Sequence, residues 1–188
     1  MSGFTDVRRA DRLMSDTDAA TLLAQGYCGR LASAGANGWP YCVPLLYVWH
    51  PDAGPHGAIW VHNTSAHGHL RANIDANPKV CFEVDEPGPV FDYGRFECDS
   101  TLAYRSVVAF GTISVISARD QKSAFFDVFL TKYRRGTSER PKGFYPRLDE
   151  VTVYAISVER LTGKEIELPD VTEQWPARDQ TKTPDAVP

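Results

Sequence analysis

Residues 29–50 read GRLASAGANGWPYCVPLLYVWH, and this stretch carries a clear β-hairpin signal. Two runs of apolar residues flank Ala36-Asn37-Gly38, and Asn-Gly is a strong signal for the turn of a β-hairpin. Pro44 interrupts the second run and cannot donate a ladder hydrogen bond, so that strand is predicted to be an edge or bulged there. The β-structure therefore opens as an antiparallel meander.

The flanking segments predict a short helix before this hairpin and a mixture of strands and helices after it. Ser15 with an acidic residue three positions later is a helix-start signal, and Gly26 ends that helix. Apolar spacing also predicts a helix over 118–135, with a stripe of Ala124, Phe125, Val128, Phe129 and Tyr133 that we interpret as core packing. The remaining segments are strands at 57–62, 79–86, 100–117 and 151–168, and a short helix at 67–77 closed by Pro78.

This order of elements predicts a mainly β fold, a small barrel of antiparallel strands with flanking helices. The 188 residues are most economically one domain. We expect an N-terminal extension over 1–12, the barrel domain over 13–168 and a disordered tail rich in proline and charge over 169–188.

Composition excludes several classes of protein. A formal charge of −4 leaves no basic footprint for nucleic acid, and no apolar run is long enough to span a membrane. The first residues lack the apolar stretch of a secretory signal, so the sequence predicts a cytoplasmic location. The cysteines form no C-x-x-C pair, and a disulfide framework is not expected; they are Cys28, Cys42, Cys81 and Cys98.

Residues 60–71, WVHNTSAHGHLR, place three of the five histidines at a strand-to-helix junction. Four interpretations compete. A zinc site would need further ligands at a familiar spacing, and a hydrolytic centre would need a nucleophile elbow, so we expect neither a metal nor a catalytic serine. An anion cradle and an ordinary polar loop, with Thr64 or Ser65 capping the helix, both stay open.

An anion cradle would use groups of three kinds. The first turn of a helix presents unpaired backbone N–H groups and the positive end of the helix dipole. Thr64 and Ser65 add hydroxyl donors, His67 and His69 add imidazoles, and Arg71 adds a permanent positive charge.

Three stretches together resemble the FMN-binding split-barrel superfamily of pyridoxamine 5′-phosphate oxidase-like proteins, and within it the nitroimidazole-resistance (Nim-type) branch. They are GRLASAGANGWPYCVPLLYVW at 29–49, IWVHNTSAHGHLRANIDANPKVCFEVD at 59–85 and YRSVVAFGTI at 104–113, and the likeness extends from Leu13 to Lys164. The resemblance implies a six-stranded antiparallel FMN-binding split barrel that forms a homodimer with FMN at the subunit interface.

The resemblance also implies a set of site residues. The strand from Tyr41 to Leu46 would run along the flavin ring, the segment from His62 to Arg71 would hold the phosphate, and Arg105 and Ser106 would lie near the flavin. His62 is the candidate catalytic residue and His69 the second choice. The residues expected to bind the cofactor are Tyr41, Val43, Pro44, Leu45, His62, Asn63, Thr64, Ser65, His67, His69, Arg71, Arg105 and Ser106.

The chain departs from its relatives at one position that affects the expected affinity for FMN. Relatives carry a lysine within this loop where the chain has Gly68-His69-Leu70, so phosphate binding would depend on His69, Arg71, hydroxyls and backbone N–H groups. Modest FMN affinity is therefore expected.

The leading functional hypothesis is an FMN-dependent oxidoreductase that passes electrons from a small-molecule donor to a small, nitroaromatic or quinone-like acceptor. A non-catalytic flavin-binding or flavin-sensing protein is the rival, and whether the chain is an enzyme stays open at this point. Haem- or deazaflavin-binding relatives are further alternatives. The segment 86–99 is predicted to be a loop that closes over the ring.

Overall fold

The computed structural model describes residues 6–93, 96, 98–134 and 143–170. Its fold is mainly β with flanking helices, as predicted. The helices are α1 (Asp16–Gln25), α2 (His69–Ala76) and α3 (Arg119–Tyr133), with 3-10 turns at Ala10–Arg12 and Leu148–Glu150; the strands are β1 (Gly29–Ala34), β2 (Pro40–Leu45), β3 (Tyr47–His50), β4 (Ala58–Thr64), β5 (Lys79–Asp92), β6 (Ser100–Ile116) and β7 (Val151–Ile166).

These elements divide between two compact units. The barrel unit comprises residues 23–84 and 108–161 where they are described, and the smaller unit comprises 6–22, 85–107 and 162–170 with the same restriction. Residues 1–5 of the predicted N-terminal extension and 171–188 of the predicted tail lie outside the described residues, so disorder of the tail stays a prediction.

The strands form one antiparallel sheet in the order β2-β1-β5-β6-β7-β4-β3. Only Leu46 separates β2 from β3, yet β2 pairs with β1 at one end of the sheet and β3 pairs with β4 at the other. Because consecutive residues join the two ends, the barrel unit closes at Leu46 and remains split along the free sides of β2 and β3. This corner also explains why the structure has seven strands where six were predicted: one predicted strand is divided in two.

The interior of the barrel unit is filled by large side chains that alternate with outward-facing neighbours. Leu31, Tyr47, Ile59, Phe82 and Tyr154 are at most 1% exposed. On the outer side, α3 packs across β3, β4 and β7.

The α3 contacts revise the predicted aromatic stripe. Phe125 and Phe129 pack against Val48 and Val153, as expected for core residues. Val128, however, is 44% exposed. Phe126, outside the predicted stripe, packs against the cluster instead, so the buried face of α3 is rotated from the one that the spacing suggested.

In the smaller unit, one local signal was interpreted correctly and one was not. The Ser15 hydroxyl accepts a hydrogen bond from the Asp18 backbone N–H at 3.1 Å, which confirms the predicted cap of α1. Residues 86–92, predicted as loop, belong to strand β5. Gly88 permits this because a Cβ at that position would lie 2.9 Å from the Ala103 carbonyl oxygen on β6.

Candidate functional site

The junction between β4 and α2 lies in the barrel unit and is fixed by the packing of α2. Leu70 and Ile74 are buried, and the buried Asn73 amide donates to the Ser33 hydroxyl on β1 at 3.2 Å. Gly35 makes this approach possible, since a Cβ there would lie 2.3 Å from the Asn73 Oδ1. Helix α2 is therefore held with its exposed first turn at the end of β4.

Neither hydroxyl of the junction caps α2. The helix is preceded by Gly68 and no side chain caps it. Thr64 is the last residue of β4, and the Ser65 backbone N–H donates to the Glu150 carbonyl at 2.9 Å. The capping interpretation of the junction is thus wrong, and the first-turn N–H groups have no side-chain partner from the cap position.

A hydrogen-bonded charge cluster follows on the exposed side of α2. The Asp75 carboxylate accepts from Arg71 Nε at 2.8 Å with one oxygen and contacts His67 Nε2 at 3.1 Å with the other. The bond from Arg71 lowers the pKa of Asp75, with a smaller contribution from His67, and the same bond raises the pKa of Arg71. The positive charge of Arg71 is therefore partly offset within its own helix.

Tyr154 connects this cluster to the strand. It pairs with Val61 in the β4–β7 ladder, so it shares a face with Asn63 two residues on. Burial raises the pKa of Tyr154, whereas a hydrogen bond with Asn63 and the charge of Arg71 act in the opposite direction. Asn63 and Arg71 therefore adjoin the buried Tyr154, and the Asn63 Oδ1 is itself buried without a hydrogen-bond partner.

His62 lies on the other face of β4. Its ring centroid is 4.9 Å from that of Phe129, 5.1 Å from Phe126 and 5.6 Å from Phe125, all on α3. Burial lowers its pKa, and its Nδ1 is buried without a partner. Strand alternation thus separates His62 from Asn63, and its surroundings are those of a packed residue; its catalytic role stays a prediction.

Strand β2 meets the junction through one aromatic contact. The Tyr41 ring stacks on the His69 imidazole with centroids 4.3 Å apart and planes 14° apart. His69 is the first residue of α2, so the strand predicted to follow the flavin ring and the turn predicted to hold its phosphate lie side by side. Val43 and Leu45 are half-buried along β2, and Pro44, opposite Arg30 on β1, is exposed.

Arg105 and Ser106 are half-buried residues of β6 in the smaller unit. The Arg105 guanidinium contacts Glu86 at 3.5 Å and Glu165 at 4.0 Å. It lies in an open cleft of about 560 Å³ whose lining includes the further carboxylates of Asp18 and Glu167. Two carboxylates therefore already neutralise the charge that was predicted to face the flavin.

Sequence reasoning missed two members of the site. Asp75 is four residues after Arg71, and that spacing on a helix is a recognisable ion-pair signal. Tyr154 gave no such signal, because only the β4–β7 register brings it to Asn63.

The described residues show neither a ready metal site nor a membrane-spanning helix. Across the described ranges, no group of three or more His, Cys, Asp or Glu side chains is arranged to hold a metal ion. In the same part of the chain, no helix has the length and apolar character needed to cross a bilayer. All four cysteines are free.

Comparison with known proteins identifies the family. The family model described as pyridoxamine 5′-phosphate oxidase matches residues 15–165, and the chain belongs to this family. No curated protein is similar enough in sequence to count as a relative.

Solved structures share the split-barrel fold. A candidate 5-nitroimidazole antibiotic resistance protein from Bacteroides thetaiotaomicron VPI-5482 is 18% identical, with a TM-score of 0.65 over 81% of this chain and 85% of its own. The FAD and heme binding protein from Mycobacterium smegmatis is 23% identical, with 0.67 over 85% and 76%. The flavocytochrome Anf3 from Azotobacter vinelandii is 20% identical, with 0.73 over 100% and 93%. At these identities the likeness establishes the fold.

Proposed function

We propose that the chain is a flavin-binding redox protein that takes FMN along β2 and at the β4–α2 junction of each subunit of a homodimer. The observation that carries this proposal is the stack of Tyr41 on His69, which puts strand β2 beside the first turn of α2. Membership of the family supports a flavin cofactor, as does the likeness to the FAD and heme binding protein from Mycobacterium smegmatis and the flavocytochrome from Azotobacter vinelandii.

The donor set fits a phosphate. Arg71 donates from its Nε to Asp75, and its guanidinium also makes a hydrogen bond with Tyr154, which in turn bonds Asn63. A guanidinium has five N–H donors, so the group has further donors to offer a phosphate at this position. The N–H groups of the first turn of α2, which no capping side chain engages, add the favourable end of the helix dipole. The adjacent Asp75 carboxylate opposes a second anion, in keeping with the modest affinity expected from the sequence.

The ring would lie along β2, an edge strand whose backbone has a ladder partner on one side only. Pro44 offers a carbonyl there but no N–H. When bound, the flavin would accept a hydride from a reduced nicotinamide and pass two electrons to a nitroaromatic or quinone-like acceptor. The chain's own contribution is to bind the phosphate, to orient the ring and to exclude water from its buried side.

The first test is the visible spectrum of the purified protein, followed by identification of any chromophore released on heating. Released FMN, or reconstitution with added FMN, is the expected result. Arg71→Met should weaken FMN binding at least about tenfold by removing charge-assisted bonds to the phosphate. Arg119→Met, which breaks an exposed ion pair with Asp149 on the same unit, is the matched control and should bind as the unaltered protein does.

Two other outcomes would change the proposal. A Soret band in the visible spectrum would show that the protein binds haem in place of FMN. A protein that is fully loaded with FMN but fails to oxidise NADH or NADPH with any of a panel of acceptors would favour the rival function, storage or sensing of flavin.

A further inference from the structure

The corner at Leu46 is the point where the proposed cofactor strand ends. The last ladder pair of β2 joins Leu45 to Gly29, and the first pair of β3 joins Tyr47 to Val61. The chain changes neighbours within one residue, so backbone groups at the corner need partners from outside either ladder.

Tyr133, in the last turn of α3, supplies these partners. Its hydroxyl accepts a hydrogen bond from the Tyr47 backbone N–H at 3.0 Å and donates to the Tyr47 carbonyl at 2.8 Å. One phenol thus performs the two hydrogen bonds that a neighbouring strand would make. The Tyr133 ring is itself fixed by Phe129 at 4.8 Å and by Tyr27 at 5.6 Å.

The side chain of Tyr47 is held from the same direction. Its hydroxyl donates to the Leu23 carbonyl at 2.5 Å, and the ring is fully buried. The Lys132 ammonium group lies 3.8 Å from the ring centroid, a cation–π contact from the residue next to Tyr133. The last turn of α3 therefore contacts both the backbone and the ring of Tyr47 and holds them in place.

We propose that Tyr133 is a positioning residue for the flavin site. It holds Tyr47, the first residue of β3, and thereby fixes the C-terminal end of strand β2. This inference rests on the proposed function. Strand β2 has one ladder neighbour, β1, so the corner at its C-terminal end is an important further constraint, at the opposite end of the strand from the Tyr41–His69 stack. Losing the two bonds at the corner frees that end of β2, and the backbone that faces the ring loses its fixed position.

The test is Tyr133→Phe, which keeps the ring and removes only the hydroxyl. The matched control is Tyr145→Phe, which removes a single exposed bond to Asp127 at 2.6 Å on the same helix. Tyr133→Phe is expected to weaken FMN binding about tenfold, to shift the visible band of the bound flavin and to speed hydrogen exchange of the β2 amides but not those of β4. Tyr145→Phe should match the unaltered protein in all three measurements.

These three measurements, together with the unfolding midpoint, separate the possible failures. A lowered unfolding midpoint with an unchanged flavin spectrum, unchanged affinity and unchanged exchange in β2 would make Tyr133 merely structural and overturn the inference. If the unaltered protein binds no FMN, the proposed function fails. The exchange of the β2 amides, measured without flavin, then still decides whether Tyr133 holds the strand.

Discussion

At the scale of single residues, the charge of the β4–α2 junction is set by Asp75. Its carboxylate engages both Arg71 and His67, two of the side chains predicted to hold a phosphate. A phosphate arriving at this surface must share Arg71 with an anion already present. Asp75 therefore orients the guanidinium and at the same time weakens the field that attracts the ligand.

Replacing this carboxylate should strengthen anion binding. In Asp75→Asn the amide oxygen still accepts a bond from Arg71, while the negative charge is lost. We expect FMN affinity to rise several-fold at low salt and the gain to fade as salt screens the exposed charges. Titration of apoprotein with FMN at two ionic strengths measures both effects.

The control for this change is Asp149→Asn, which removes the carboxylate of the exposed Arg119 pair and should leave FMN affinity unchanged. A weaker affinity in Asp75→Asn would show that orientation of Arg71 outweighs the charge of the carboxylate. The junction would then depend on geometry more than on net charge.

At the scale of elements, local chemistry predicted where most helices and strands begin and end. The Ser15 cap fixed the start of α1, and the Asn37-Gly38 turn is present, with Gly38 at φ +76° and its N–H donating to Gly35 at 3.0 Å. Both signals act within four residues, so the sequence carries them in full.

The errors arose where distant residues decide the outcome. Pro87-Gly88-Pro89 is a run of breakers, yet it stays in β5 because the close approach to Ala103 stabilises the pairing with β6. The division at Leu46 follows from closure of the barrel and has no local signal. The same reason applies to the site: alternation along β4 could be predicted, but not that α3 would cover the face of His62.

The packing of α3 on β4 yields a test of His62. Because burial lowers its folded-state pKa, the unfolded chain binds more protons between that pKa and about 6.5, so stability is lost as pH falls through this window. His62→Leu removes both this effect and the unpartnered Nδ1. We expect a gain of about 1 kcal/mol in unfolding free energy at pH 8 and a larger gain at pH 5, measured by denaturant titration.

FMN binding and turnover of His62→Leu should be unchanged if His62 only packs against α3. Loss of turnover in a folded, FMN-loaded variant would instead support the catalytic role predicted from its position at the end of β4. His56→Leu, in an exposed turn, serves as the control and should alter neither stability at low pH nor flavin binding.

At the scale of the whole molecule, the smaller unit has large apolar side chains that are exposed to solvent instead of buried in a core. Val90 is 70% exposed, Tyr93 49%, and Leu102 38%, all on or next to the paired segments of β5 and β6. Large apolar side chains exposed on neighbouring strands are a feature that interaction sites often share. A second copy of the chain is the partner that the proposed homodimer requires.

We therefore predict a particle of about twice 20.9 kDa by sedimentation equilibrium at micromolar concentration, with two FMN per particle. Val90→Glu should shift the equilibrium toward monomer at least about tenfold, because a charge buried in an apolar interface loses its hydration. Val128→Glu, at the exposed valine of α3, is the matched control and should remain dimeric. A dimer unaffected by Val90→Glu would place the interface away from β5. A monomer that still binds one FMN would show that the barrel unit holds the cofactor without a partner, and the site would then be complete within a single chain.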